Sequence, residues 1–126
     1  MLPAVMSTDA TAPAPIAVTI DDLPATLTSA RLRLRLPSLG DARALVDGWV
    51  CDTEATRFML FPTYAPGDVA AVEAFLATCI AAWQRRSGHR PWVVCRADDE
   101  SDTPIGMLGV TPGHGPGGSE IGYIFR

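Results

Sequence analysis

From Trp92 to the last residue, the chain holds three runs of β-branched and aromatic residues, Trp92–Arg96, Ile105–Val110 and Glu120–Phe125, and the segments between them are too short for a helical crossover. Strands so joined must lie antiparallel. A fourth alternating run, Arg31-Leu32-Arg33-Leu34-Arg35-Leu36, stands at the other end of the ordered part. Its strict period of two predicts a strand with leucines on a core and arginines in water, and three arginines on a wet face would discourage edge pairing.

Between these strands the period changes to that of a helix. Ala42, Leu45, Val46, Trp49 and Val50 follow the i, i+3, i+4, i+7, i+8 spacing of a core-facing stripe, preceded by Ser38 and Asp41 in capping-box spacing. A short helical turn is predicted from Asp52 toward Phe58. The longest helix opens at Gly67-Asp68 and runs to about Arg86, with Val69, Val72, Leu76, Cys79 or Ile80, and Trp83 on one face and Gly88 as its stop. The fold class read from this order is α+β: an antiparallel sheet of about four strands, with two or three helices between strand one and strand two.

With 126 residues and 48% apolar composition, the chain has the size and apolar content of one domain. Met1 to Thr28 contains no Lys or Arg and is broken by four prolines, so a disordered Ala/Pro/Thr-rich tail is expected, without the cationic start and apolar run of a secretory leader. Residues 29–126 form the predicted domain. No run of about 20 apolar residues escapes proline or charge, so no membrane partner is expected. A net charge of −4 and an isoelectric point near 4.9 argue against nucleic acid. Cys51, Cys79 and Cys95 are too far apart and too few for a zinc site or a disulfide framework; buried thiols in a reducing cytoplasm are the expectation, and no metal is predicted.

Few residues carry chemistry on their own. Gly113, Gly115 and Gly118 make a formal G-x-G-x-x-G, but a strand follows where a dinucleotide site needs a helix, and Pro116 removes an amide, so the stretch reads as a hairpin loop. His114 in that loop and His89 at a helix end read as surface polarity, and Asp98 to Asp102 as a solvated turn without calcium-ligand spacing. Glu120, at the start of the last strand, is a candidate general base for an amine. Alternation puts Glu120, Gly122 and Ile124 on one face and Ile121, Tyr123 and Phe125 on the other.

Five segments together carry a resemblance: SARLRLRLPSLGDA (29–42), FMLFPTY (58–64), AFLATCIAAW (74–83), IGMLGV (105–110) and EIGYI (120–124). In this order they resemble the GNAT superfamily of acetyl-CoA-dependent N-acetyltransferases, and within it the branch of ribosomal-protein alanine and serine N-acetyltransferases. The resemblance implies acetyl transfer to an amine acceptor, either a small molecule or a protein N-terminus, with acetyl-CoA as co-substrate. It implies Glu120 as catalytic base, the amides of Ile124 and Phe125 on the cofactor's acetyl and pantetheine part, and Phe61, Pro62 and Tyr64 as a substrate wall. The family's pyrophosphate loop, its helix and the later strands have no counterpart up to Arg126, so the chain is expected to be the N-terminal part of such a domain and inactive alone. The alternative is a non-catalytic interaction module acting through the open edge of its last strand, an edge expected in either case to favour self-association.

Overall fold

The computed structural model describes residues 22–57, 59, 63–113 and 118–126. Five strands form one sheet in the order β1-β2-β3-β4-β5: β1 (Leu27–Thr28), β2 (Leu32–Arg35), β3 (Arg90–Arg96), β4 (Pro104–Pro112) and β5 (Ser119–Phe125). Every neighbouring pair is antiparallel. The helices α1 (Ala42–Gly48), α2 (Thr53–Thr56) and α3 (Val69–Arg85) lie in sequence between β2 and β3. The architecture is α+β, as the periodicities predict, with one strand more than expected. That strand, β1, falls inside the stretch expected to be a disordered tail. It pairs Leu27 with Leu34 and Thr28 with Arg33, and Pro24 O accepts the Trp92 indole N–H at 3.0 Å, so the fold begins earlier than composition suggests. Residues 1–21 lie outside the described residues.

The helical stripe is where its spacing puts it. Ala42, Leu45, Val46, Trp49 and Val50 are all buried and join Val72 and Leu76 of α3 and Val93, Cys95 and Met107 of the sheet in one core. α1 itself ends at Gly48, so Trp49 and Val50 reach that core from the turn beyond it. Capping follows the sequence: the Ser38 N–H donates to Asp41 Oδ2 at 2.8 Å, Asp52 Oδ1 accepts from the Glu54 N–H at 2.9 Å, and Asp68 Oδ1 from the Ala71 N–H at 3.1 Å. The stop of α3 differs. Arg86 takes the left-handed conformation at φ 57°, and Ser87 N–H returns to Ala82 O at 3.2 Å. Gly88, φ 76°, serves the turn into β3 instead.

The phase of β2 is the reverse of that expected. Cross-strand partners share a face, and Arg33 stands opposite Cys95 and Arg35 opposite Val93, both residues of the core under the helices. The arginines therefore occupy the helix side of the sheet and do not face open water. Arg35 grips Asp41 with two bonds, at 3.0 and 2.7 Å, and its Nε lies 3.0 Å from Asp102 Oδ2; Arg33 also pairs with Asp102. Those carboxylates tie β2 to the start of α1 and to the β3–β4 turn. Both arginines are held more firmly protonated by these partners, and Asp102 is held below the usual carboxylate range chiefly by its bond from Arg33.

Candidate functional site

Met107 and Gly109 of β4 and Gly122 of β5 project from the helix-bearing face of the sheet, opposite Trp49, Tyr64 and Phe75. They enclose a cavity of about 320 Å³. Gly122, without a side chain, explains why space remains here. A Cβ on Gly122 would meet nothing within 4 Å, whereas one on Gly109 would overlap the imidazole of His89, so Gly109 makes room for that ring rather than for the cavity. Val50 and Pro91 complete the apolar part of the wall.

Tyr64 is placed by its backbone, whose N–H donates to Val50 O at 2.9 Å, and its ring lies 6.4 Å from that of Phe75. Burial raises the Tyr64 phenol pKa, so the hydroxyl keeps its proton at neutral pH. His89 is the titratable imidazole of the wall. The residue is exposed to solvent along part of its surface, yet its ring packs on Gly109 and its Nδ1 lies 2.7 Å from Thr111 Oγ1. Desolvation lowers its pKa, opposed by the charge of Glu120, which stands opposite Thr111 in the β4–β5 ladder.

Sequence reasoning takes His89 for surface polarity, and the residue is indeed exposed, but that reasoning does not foresee that its ring borders this cavity. Thr111, its partner, is 22 positions away, and Gly109, which admits the ring, carries no signal of its own. Glu120 is exposed at the start of β5, next to this constellation but not in the cavity wall. Tyr64 is in the wall, while Phe61 and Pro62, and likewise His114, lie outside the described residues.

β5 follows the predicted alternation. Ile124 packs against the core and Gly122 borders the cavity, whereas Ile121, Tyr123 and Phe125 are 64%, 67% and 43% exposed on the other face. Among the described residues, no strand pairs with the outer edge of β5. The Arg126 N–H donates to Ile105 O at 3.2 Å, which fixes the ladder's phase. By alternation the Ile124 N–H is turned to β4, and the Tyr123 and Phe125 N–H groups are turned outward. Of the two amides expected to face a cofactor, the structure thus offers Phe125 and commits Ile124 to the sheet. Among the described residues no group of three or more His, Cys, Asp or Glu is placed to hold a metal, and no helix is long and apolar enough to cross a membrane.

Residues 31–126 match the sequence profile of the family described as the acetyltransferase (GNAT) domain. The chain belongs to the GNAT acetyltransferases. Solved structures share its fold: a GNAT-family acetyltransferase from Bacillus anthracis superposes with a TM-score of 0.64 at 15% identity, over 80% of this chain and 53% of that one. A Vibrio cholerae protein, provisionally described as a ribosomal-protein-serine acetyltransferase, gives 0.60 at 19% identity over 83% and 55%. An acetyltransferase from Agrobacterium tumefaciens strain C58 gives 0.53 at 21% over 91% and 60%. This GNAT chain therefore spans a little over half the length of these structures. No curated protein matches it significantly in sequence.

Proposed function

We propose that this GNAT chain carries the amine-acceptor side of an acetyl-CoA-dependent N-acetyltransferase site, with the cavity beside His89 receiving the amine. One observation supports this most directly: an imidazole held by Thr111 and partly withdrawn from solvent borders an apolar cavity at the β4–β5 ladder, whose outer edge pairs with no described strand. Acetyl-CoA, when bound, supplies the activated thioester carbonyl. The β5 edge fits the amide-bearing arm of such a co-substrate, because the outward N–H groups of Tyr123 and Phe125 are able to pair with an extended chain as a strand would.

The residues of this chain divide the remaining work. With Nδ1–H donating to Thr111 Oγ1, the His89 ring is oriented with Nε2 as its basic nitrogen, which accepts a proton from the amine, and the lowered pKa keeps the ring neutral and ready to do so at pH 7. Glu120 favours the protonated imidazole through its charge, a supporting role in place of the direct base role that the family resemblance implies. The outward Phe125 N–H is a donor for a developing oxyanion, and Tyr64 is a protonated hydroxyl in the same wall. The acceptor class extends to protein N-termini as well as small amines, and a cytoplasmic setting accords with three free thiols.

Titration of the isotope-labelled full chain with acetyl-CoA tests the reading by amide NMR. Shifts concentrated at Tyr123 and Phe125 are the expected result; a β5 edge unmoved by millimolar acetyl-CoA overturns it. A second reading, an interaction module, rests on the exposure of Ile121 and Tyr123, and predicts self-association without any response to acetyl-CoA.

A further inference from the structure

Gly106 and Gly109 stand within β4 and Gly122 within β5. A glycine inside a strand weakens it, because it has the most conformational freedom to lose on folding and no side chain to pack. Two of the three have a steric reason to be there. A Cβ on Gly106 would overlap the Phe125 ring, and one on Gly109 the His89 imidazole. Gly122 has no such reason: a Cβ there would meet no atom within 4 Å, and its φ lies outside the left-handed region that Gly67 and Gly88 occupy. Folding therefore gains nothing from glycine at position 122. What the missing side chain leaves is space, on the helix side of the sheet that Gly122 shares with Ile124, in the wall of the cavity.

The rest of that wall limits what uses the space. A volume of about 320 Å³ is at the small end for ligand sites. Val50, Phe75, Pro91 and Met107 are apolar, and among the described residues neither a carboxylate nor a permanent cation lines the cavity. Leu60, Phe61 and Pro62, which precede Thr63 in the same loop as Tyr64, carry no charge either. A polyamine would set a second cation against hydrocarbon, and a free amino acid its carboxylate. An occupant with one amine at His89, near Glu120, and an uncharged body toward Gly122 leaves no charge stranded.

Resting on the assignment of this cavity as the acceptor site, we infer that Gly122 is its specificity-determining residue: the cavity takes compact primary amines whose aryl or alkyl body lies against the bare backbone of β5 at Gly122, and it rejects polyamines and free amino acids.

The full chain, without acetyl-CoA, is titrated with 2-phenylethylamine, ethylamine, L-phenylalanine and spermidine, and binding is followed by calorimetry and by the Gly109 and Gly122 amide resonances. 2-Phenylethylamine is expected to bind roughly ten- to hundredfold more tightly than ethylamine, the worth of burying a phenyl group, and to shift the Gly122 amide. L-Phenylalanine and spermidine are expected to bind more weakly than 2-phenylethylamine by about tenfold or more. Gly122→Ala should weaken 2-phenylethylamine binding about tenfold, as one misplaced methyl does in an apolar pocket, and Gly122→Val should weaken it further. The Ala variant should at the same time unfold at the wild-type temperature or above it. Those two movements together distinguish a binding role from a structural one, since a glycine that the fold needed would lower the unfolding temperature when replaced. The inference is overturned by 2-phenylethylamine binding that is absent, matched by any of the other three probes, or unchanged in Gly122→Ala, and equally by an Ala variant that unfolds at a lower temperature. Because no acetyl-CoA is present, a chain that shows the expected amine preference but leaves β5 unmoved by acetyl-CoA would refute the catalytic reading and leave the Gly122 assignment standing.

Discussion

Asp41 shows how much one side chain holds in place. It receives both guanidinium nitrogens of Arg35 and the Ser38 N–H, and its side chain is 7% exposed against 20% for Arg35. Removing it by Asp41→Ala leaves a largely buried arginine without that partner and frees the helix start, so a loss on the order of 2–3 kcal/mol is expected from urea unfolding. His89 makes a prediction of opposite chemistry. Its folded pKa is depressed, so the unfolded chain binds more protons below its ordinary value of about 6.5. The contribution is present above that pH and is lost as the pH falls through the folded value. The unfolding midpoint of the wild type should therefore drop between pH 7.5 and 5.5 by more than that of His89→Gln, and equal slopes for the two proteins would show that the ring is not desolvated. Cys79, pushed up to about 11 by burial, should in contrast resist alkylation at pH 8 in the native chain.

Among elements, what the sequence reveals depends on which question its period answers. The stripe of α3 was legible because a helix buries one face, and Val72, Leu76 and Cys79 could lie nowhere else. The strand Arg31–Leu36 was legible as a strand but misread in phase. A period of two states which residues share a face and is silent on which face is inner, and here Asp41, just past the strand, and Asp102, distant in sequence, neutralise the arginines on the helix side. The site was less legible than the fold for the same reason: Tyr64 was found through a local segment, whereas His89, Thr111 and Gly109 form a unit only after β3 and β4 pair. The β4–β5 pairing in turn places Phe125 over Gly106, where a Cβ would overlap the Phe125 ring and crowd Ile124 O. Gly106→Ala should loosen β5 from β4, costing about 1–3 kcal/mol by overpacking; hydrogen exchange at Ile124 accelerating well beyond that at Val93 would register the effect.

For the molecule as a whole, the helices cover one side of the sheet and leave an apolar strip on the other. Ile121, Tyr123 and Phe125 lie along β5, beside an outer edge that no described strand pairs with, and Tyr123 and Phe125 rings approach to 6.2 Å, forming a continuous surface. An unpaired edge with neighbouring apolar side chains is the arrangement that recruits a second chain. Sedimentation velocity across a hundredfold range of concentration should accordingly show reversible association, and Ile121→Lys with Tyr123→Lys should suppress it by placing like charges where two copies would meet. Neither residue contributes to the helix-side core, so the double variant should unfold at nearly the wild-type temperature. The pairing of those two results matters: a monomer at all concentrations would mean that the edge is inert, while a variant that loses both association and fold would mean that β5 is stabilised by its partner copy, making the outer edge part of the folding unit and not a mere adhesive surface.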